Sequence, residues 1–313
     1  MAAIRHNIVT DAGARDAYVD GVVALKNEFL GTTTADLGIA GPARQVSTYD
    51  LFTVWHQLAM MRRTPPSQND RNAAHSGPVF LPWHRLMLLL FELQLQRALA
   101  NDEVGLPYWD WAADGDLPAD EQLSAPLWSE AGIGGTGGPV ADGPFTPDRF
   151  RVRIESGPTG ALRTTDRGLV RNLAVDVATL PTTAETRVAL NQTSYDASPW
   201  DRSTRRLRNR LEGWRPAPGP RLHNRVHVWV GGDMGPATSP NDPVFYLNHC
   251  NVDRLWESWM VRRGRRYTPP AGAPADLAGH RLNDPLYSLL IRQAITPAQM
   301  LDAGTFYSYD RLL

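Results

Sequence analysis

Six of the eight histidines in this 313-residue chain fall into two groups of three: His56, His75 and His84, then His223, His227 and His249. Imidazole nitrogens bind copper, zinc and iron well, so three converging rings would make one metal site and six would make two. His223 and His227 stand four residues apart. On a helix that spacing puts both rings on one face, roughly 6 Å apart along the axis. His249 comes after the loop GGDMGPATSPNDP, where the next helix opens. No two histidines of the first group are four apart, so these three must come from separate turns that the fold brings together. A donor set with neither thiolate nor carboxylate leaves copper, zinc and iron all open. His6 and His280 sit in polar flanking sequence and read as surface residues.

The elements that must position these rings read as helices. From Asp11 to Leu30, Tyr18, Val22, Leu25 and Phe29 recur at steps of four and three, an amphipathic helix ending at Gly31. Leu51 to Arg63 reads as a second helix, stopped by Pro65 and Pro66. Pro82 to Ala100 is apolar nearly all round in its first half, which suits the centre of a bundle. Between Ala112 and Pro199 the sequence is loop-like, with GIGGTGGPVADGP, and reads as a covering segment carrying short strands. Helical patterning resumes at Arg202 to Leu211, Arg221 to Val230 and Asp242 to Met260, the last with Asn241 or Asp242 as cap and Pro243 early. The expected fold is mainly α, with long loops and short β pieces, in one domain over residues 1–313.

Composition narrows the partners. Net charge is −1, with 32 Lys+Arg against 33 Asp+Glu, and the arginines are scattered apart from clusters at Arg205 to Arg210 and Arg262 to Arg266. That balance argues against nucleic acid. Cys250 is the single cysteine, so neither a disulfide framework nor a cysteine-based zinc site is expected. No stretch reaches the roughly 18 apolar residues of a membrane span, and MAAIRHNIVTD has no apolar signal core. A soluble protein is expected, cytoplasmic as encoded.

The segments HSGPVFLPWHRLMLLLFE, LPYWDW, LHNRVHVWVGGDM and SPNDPVFYLNHCNVDRLWESW strongly resemble, in order and spacing, the copper-binding segments of the tyrosinase family, which includes tyrosinases, catechol oxidases, o-aminophenol oxidases and mollusc haemocyanins. The resemblance runs from Arg5, in RHN, to Tyr307 and Tyr309, which look like the family's closing Tyr-x-Tyr, and it is most specific over 75–111 and 222–259. It implies a four-helix bundle enclosing two coppers, the first held by His56, His75 and His84 and the second by His223, His227 and His249. Asp253 looks like a carboxylate that orients a ligand imidazole, with a salt bridge to Arg254 or Arg85 as the plainer alternative. Phe80 and Phe245 would pack near ligand rings, and Arg5 would lie over Tyr307 or Tyr309. Two positions depart from the common pattern. Ala73 stands where many members have a thioether-forming cysteine, which points to the bacterial branch, and Asn248 replaces the first of a frequent His-His pair. Cys250, beside His249, reads as a small buried residue.

The resemblance further implies two-electron reduction of O2 by the copper pair and oxidation of a phenol docked above the second copper. Glu212, in LEGW, and Asn224 resemble the pair that holds a water in bacterial tyrosinases, a base for monophenol deprotonation, although PAPGP lengthens the intervening loop. Val228 stands where some bacterial tyrosinases carry an arginine, and Met234 and Ala237 are expected to roof the site. Uncharged or bulkier aromatics follow as substrates, with o-aminophenol or catechol oxidation as the alternative and haemocyanin-like O2 carriage as the competing class. A separate helper protein delivering copper and aiding export is a possible partner.

Overall fold

The computed structural model describes residues 2–214 and 221–313, so the PAPGP segment lies outside the described residues. Helix α1 (Ala12–Asn27) starts where Asp11 accepts the amide of Ala14 at 2.8 Å, and it buries Tyr18, Val22 and Leu25. It ends earlier than its apolar period suggests. Phe29 belongs instead to a short strand, β2 (Phe29–Thr33), antiparallel to β3 (Gln45–Ser47), and its ring is 45% exposed. Helix α2 (Thr48–Met61) follows directly, opened by a capping box in which Ser47 and Asp50 satisfy each other's backbone amides.

Helix α3 (Phe80–Leu99) is buried on every side over Phe80–Leu88 and packs against both α1 and α9 (Val244–Arg263). Trp55 of α2 meets Trp83 of α3 with ring centroids 5.1 Å apart, and both indole N–H groups donate to the carbonyl of Tyr287. Helix α8 (Leu222–Val230) packs on α9. Four helices, α2, α3, α8 and α9, thus carry five of the six histidines, and His75 comes from the loop between α2 and α3. His249 lies in the second turn of α9, a turn deeper than its expected place at the helix opening.

The covering segment holds more regular structure than its composition suggests: α4 (Trp111–Gly115), α5 (Ala119–Leu123), the antiparallel pair β4 (Val152–Ser156) and β5 (Leu162–Arg167), and α6 (Thr183–Leu190). Helix α7 (Leu207–Glu212) is shorter than the patterned stretch from Arg202.

The chain ends meet. Strand β1 (Ala3–Arg5) pairs in parallel with β6 (Tyr307–Tyr309), Ala3 opposite Tyr307 and Arg5 opposite Tyr309. The Arg5 guanidinium lies 3.3 Å from the Tyr307 ring centroid and 5.8 Å from that of Tyr309. No described helix is long and apolar enough to cross a membrane.

Candidate metal centre

The fold gathers His56, His75 and His84 into one group and His223, His227 and His249 into another, with the ligand atoms of each group within 4.8 Å of one another. The two groups adjoin: the His84 and His249 rings stack with centroids 4.1 Å apart. Phe80 lies against His75, His84 and His223, and Phe245 against His56, His227 and His249, so aromatic faces fill the space between the rings.

Backbone carbonyls aim four of the six rings. Nδ1 of His56 faces the carbonyl of Ala237 at 2.7 Å, and that of His84 faces the carbonyl of Phe80 at 2.8 Å. Nδ1 of His227 faces the carbonyl of Met234 at 2.7 Å, and that of His223 faces the carbonyl of Glu212 at 3.1 Å. A carbonyl only accepts, so each of these Nδ1 atoms carries the proton and the lone pair is left on Nε2. Nε2 of His56, His84 and His227 is buried without a partner among the described residues, and Nε2 of His223 stands 3.0 Å from Nε2 of His249. Burial also holds the protonated forms down: His56 is pushed to about 3 and His227 to about 4, and the other four lie well below the usual histidine range. Neutral rings with inward lone pairs are the form a metal requires, so an all-nitrogen binuclear site fits these residues.

A cavity of about 440 Å³ opens onto the two groups. His56, His75, His223 and His227 reach its wall, with Met60, Trp214, Asn224, Val228, Pro236 and Ser239 around them. Met234 and Ala237 do not line it. They serve through their carbonyls, and the roof is made by their neighbours Gly235, Pro236 and Ser239. The segment is fixed in turn by Asp233, which accepts both terminal nitrogens of Arg167 at 2.8 and 2.6 Å and the Val170 amide at 2.8 Å.

Glu212 departs from its expected place. The carboxylate is fully buried and is absent from the cavity wall. Oε1 accepts the Ser76 amide at 2.6 Å and Oε2 accepts Arg208 at 2.9 Å. Burial raises its pKa, against the lowering effect of Arg208 and the Ser76 amide. Arg208 is itself buried and also binds Asp196 at 2.8 Å. Asn224 does reach the wall, its Oδ1 3.0 Å from Nδ1 of His223.

Asp253 also departs from expectation, because it touches no imidazole. Oδ1 accepts Arg85 at 2.6 Å, while Oδ2 accepts Tyr307 at 2.5 Å, Tyr309 at 2.6 Å and, more distantly, Arg5 at 3.4 Å. Burial acts to raise its pKa, but Arg85 and Arg5 outweigh that and hold the carboxyl below its usual range. The alternative of a salt bridge to Arg85 is the one realised, and it fastens α9 to α3 and to both chain ends. Nδ1 of His249 is left without a partner among the described residues.

His280 is a core residue, with no exposed surface. Its Nε2 meets the Thr64 hydroxyl at 2.7 Å, and its ring lies against Gly77, where a Cβ would stand 2.7 Å from Cε1. It therefore props the loop that carries His75, a role that polar flanking sequence hides. Cys250 is buried, with Sγ 3.3 Å from the Leu106 carbonyl. His6, part-exposed, lies 3.4 Å from Asp11.

Paired three-histidine groups between packed helices, under an apolar cavity, define a binuclear metal protein of the all-imidazole kind. Residues 46–262 match the common central domain of tyrosinase. The chain is 41% identical over 269 residues to a tyrosinase of Streptomyces glaucescens, covering 84% of this chain and 88% of that protein. It is 36% identical over 292 residues to the grixazone synthase of Streptomyces griseus, covering 84% and 90%. Among solved structures, a polyphenol oxidase from Thermothelomyces thermophila superposes with a TM-score of 0.73 at 22% identity, covering 99% of this chain and 89% of that one. An Octopus hemocyanin unit gives 0.60 at 21%, covering 99% and 68%. These two likenesses show the fold. The chain belongs to the tyrosinase family, and it is a copper-dependent oxidoreductase of phenols.

Proposed function

We propose that this chain acts as a single domain that holds two copper ions, one on His56, His75 and His84 and one on His223, His227 and His249, and oxidises phenols and o-diphenols, with o-aminophenols as further substrates, to quinones or quinone imines at the expense of O2. The observation that carries this reading is the carbonyl-fixed set of imidazoles, with Nε2 of His56, His84 and His227 buried and without partners among the described residues. A copper pair held there supplies two-electron reduction of O2.

The protein's own share is binding and exclusion. The wall beside His223 and His227 is apolar at Met60, Val228 and Pro236, so a ring enters by displacing weakly held water. With its Oδ1 turned to Nδ1 of His223, Asn224 presents N–H groups to the cavity and can hold the substrate oxygen or a water beside it. Glu212 acts one step back, as a positioning residue. No carboxylate lies on the described wall, so the proton of a monophenol passes to water at Asn224. Because five of the six ligand histidines are buried and His227 is partly so, loading by a separate copper-delivering protein is part of the proposal.

Copper-loaded protein should consume O2 with 4-methylcatechol, with an o-aminophenol and, more slowly, with a monophenol. Reversible O2 uptake without oxidation of any of them would replace the enzyme with a carrier.

A further inference from the structure

The described cavity wall carries no charged side chain, its histidines being neutral, but the segment beside it does. Trp214 closes one side of the cavity and also walls a second cleft of about 180 Å³ that holds Arg210 and Arg221. The Arg202 guanidinium lies 4.9 Å from the Trp214 ring centroid. Arg205 and Arg206 are exposed on the same segment. None of Arg202, Arg205, Arg206 and Arg210 has a carboxylate partner among the described residues; only their buried neighbour Arg208 does.

Three of the four nearby acids are paired with arginines, and Asp201 is not. Glu185 binds Arg221 at 3.0 Å and Arg225 at 2.9 Å, Asp196 and Glu212 enclose Arg208, and Asp201 accepts the amide and hydroxyl of Ser203. Four guanidiniums without ion-pair partners lie within nine residues, against the single unpaired carboxylate of Asp201, and leave a net positive field beside Trp214 in a chain of net charge −1. Surface arginines are often merely solvated. Here Arg202 lies over Trp214 and Arg210 lines the adjoining cleft, so two of the four flank the tryptophan that walls the cavity.

We propose that this arginine rim is an anion subsite of the phenol-oxidising centre, and that it takes the carboxylate of a phenolic substrate whose ring occupies the cavity. The inference rests on the phenol-oxidase reading above. The planar fork of arginine suits a carboxylate, and exposed pairs of this kind act through on-rate and KM rather than through the chemical step.

The test compares 3-(3,4-dihydroxyphenyl)propionate with its methyl ester on the copper-loaded protein. At about 0.01 M salt the acid should show a KM about three- to tenfold below that of the ester. Raising salt to about 1 M, which shortens the Debye length from about 30 Å to about 3 Å, should bring the two together while the ester's KM stays flat. Combined Arg202→Gln, Arg205→Gln, Arg206→Gln and Arg210→Gln should remove the salt response of the acid. Equal KM values for acid and ester at low salt, or a salt response that survives the four substitutions, would overturn the subsite. Failure of the loaded protein to oxidise the ester would instead overturn the enzymatic reading beneath it.

Discussion

Glu212 and His223 meet backbone to ring, the carbonyl of the first 3.1 Å from Nδ1 of the second. The side chain of the same glutamate takes the Ser76 amide at 2.6 Å, next to His75. One residue therefore braces both histidine groups, and it does so at a strained point, since Ser76 holds φ at +63°. Replacing Glu212 with Leu should lower copper affinity at the first group about 10- to 100-fold. Catechol and monophenol turnover should fall together. A selective loss of monophenol turnover, with copper content unchanged, would return Glu212 to the role of a base acting through water.

Two three-histidine groups call for two coppers per chain. Metal analysis of active protein checks this directly. His227→Ala should leave about one copper, abolish oxidation and spare the fold, because among the described residues its ring hydrogen-bonds only to the Met234 carbonyl. Two coppers retained in that variant would show that the second group is assigned wrongly.

Asp253 is the common acceptor for Arg85, Arg5, Tyr307 and Tyr309. Asp253→Ala leaves two buried guanidiniums without this partner, which should cost about 3–5 kcal/mol in urea unfolding. Limited proteolysis should then release the ends of the chain first. A loss under about 1 kcal/mol would mean that Glu92 and Glu257, which bind Arg5 and Arg85 at 2.8 and 3.2 Å, suffice.

His280 gives a pH signature. Burial, reinforced by Arg71, pushes its pKa down to about 3 from an ordinary 6.5. The unfolded chain then binds a proton that the folded chain does not, so the stability held by the neutral ring is complete above pH 6.5 and is lost as pH falls toward 3. Across that window, wild type should lose stability more steeply than His280→Gln, by about 1.4 kcal/mol per pH unit. Parallel pH profiles would show that the ring is hydrated.

The six histidines were legible in the sequence because a metal site needs particular side chains, and those stand in the letters. Helix α3 was legible for a related reason, the burial of its first half on all sides being written as a near-continuous apolar run, and α9 was legible from its helical patterning after Asn241, Asp242 and Pro243. The carbonyls of Phe80, Met234 and Ala237 were not legible, since every residue has a carbonyl and only the fold decides which one faces a ring. Asp253 was misread because its partners lie up to 248 residues away, and four residues from His249 on one helix looked like proximity to the metal. The bonds of the Glu212 carboxylate were hidden for the same reason: Ser76 is 136 residues off. His280 was hidden by its polar neighbours, although Gly77 is the trace its ring leaves in the distant sequence.

The segment that roofs the cavity also aims one ring of each histidine group, through Met234 and Ala237. Divergence toward new substrates is therefore constrained there. A change at Gly235, Pro236 or Ser239 that admits a larger ring also tugs on the carbonyls that hold His227 and His56, so selectivity and metal retention are inherited together. Met60 and Val228 project into the same cavity from the helices α2 and α8. Variation between relatives, and any laboratory search for altered selectivity, should find its freedom at those two positions.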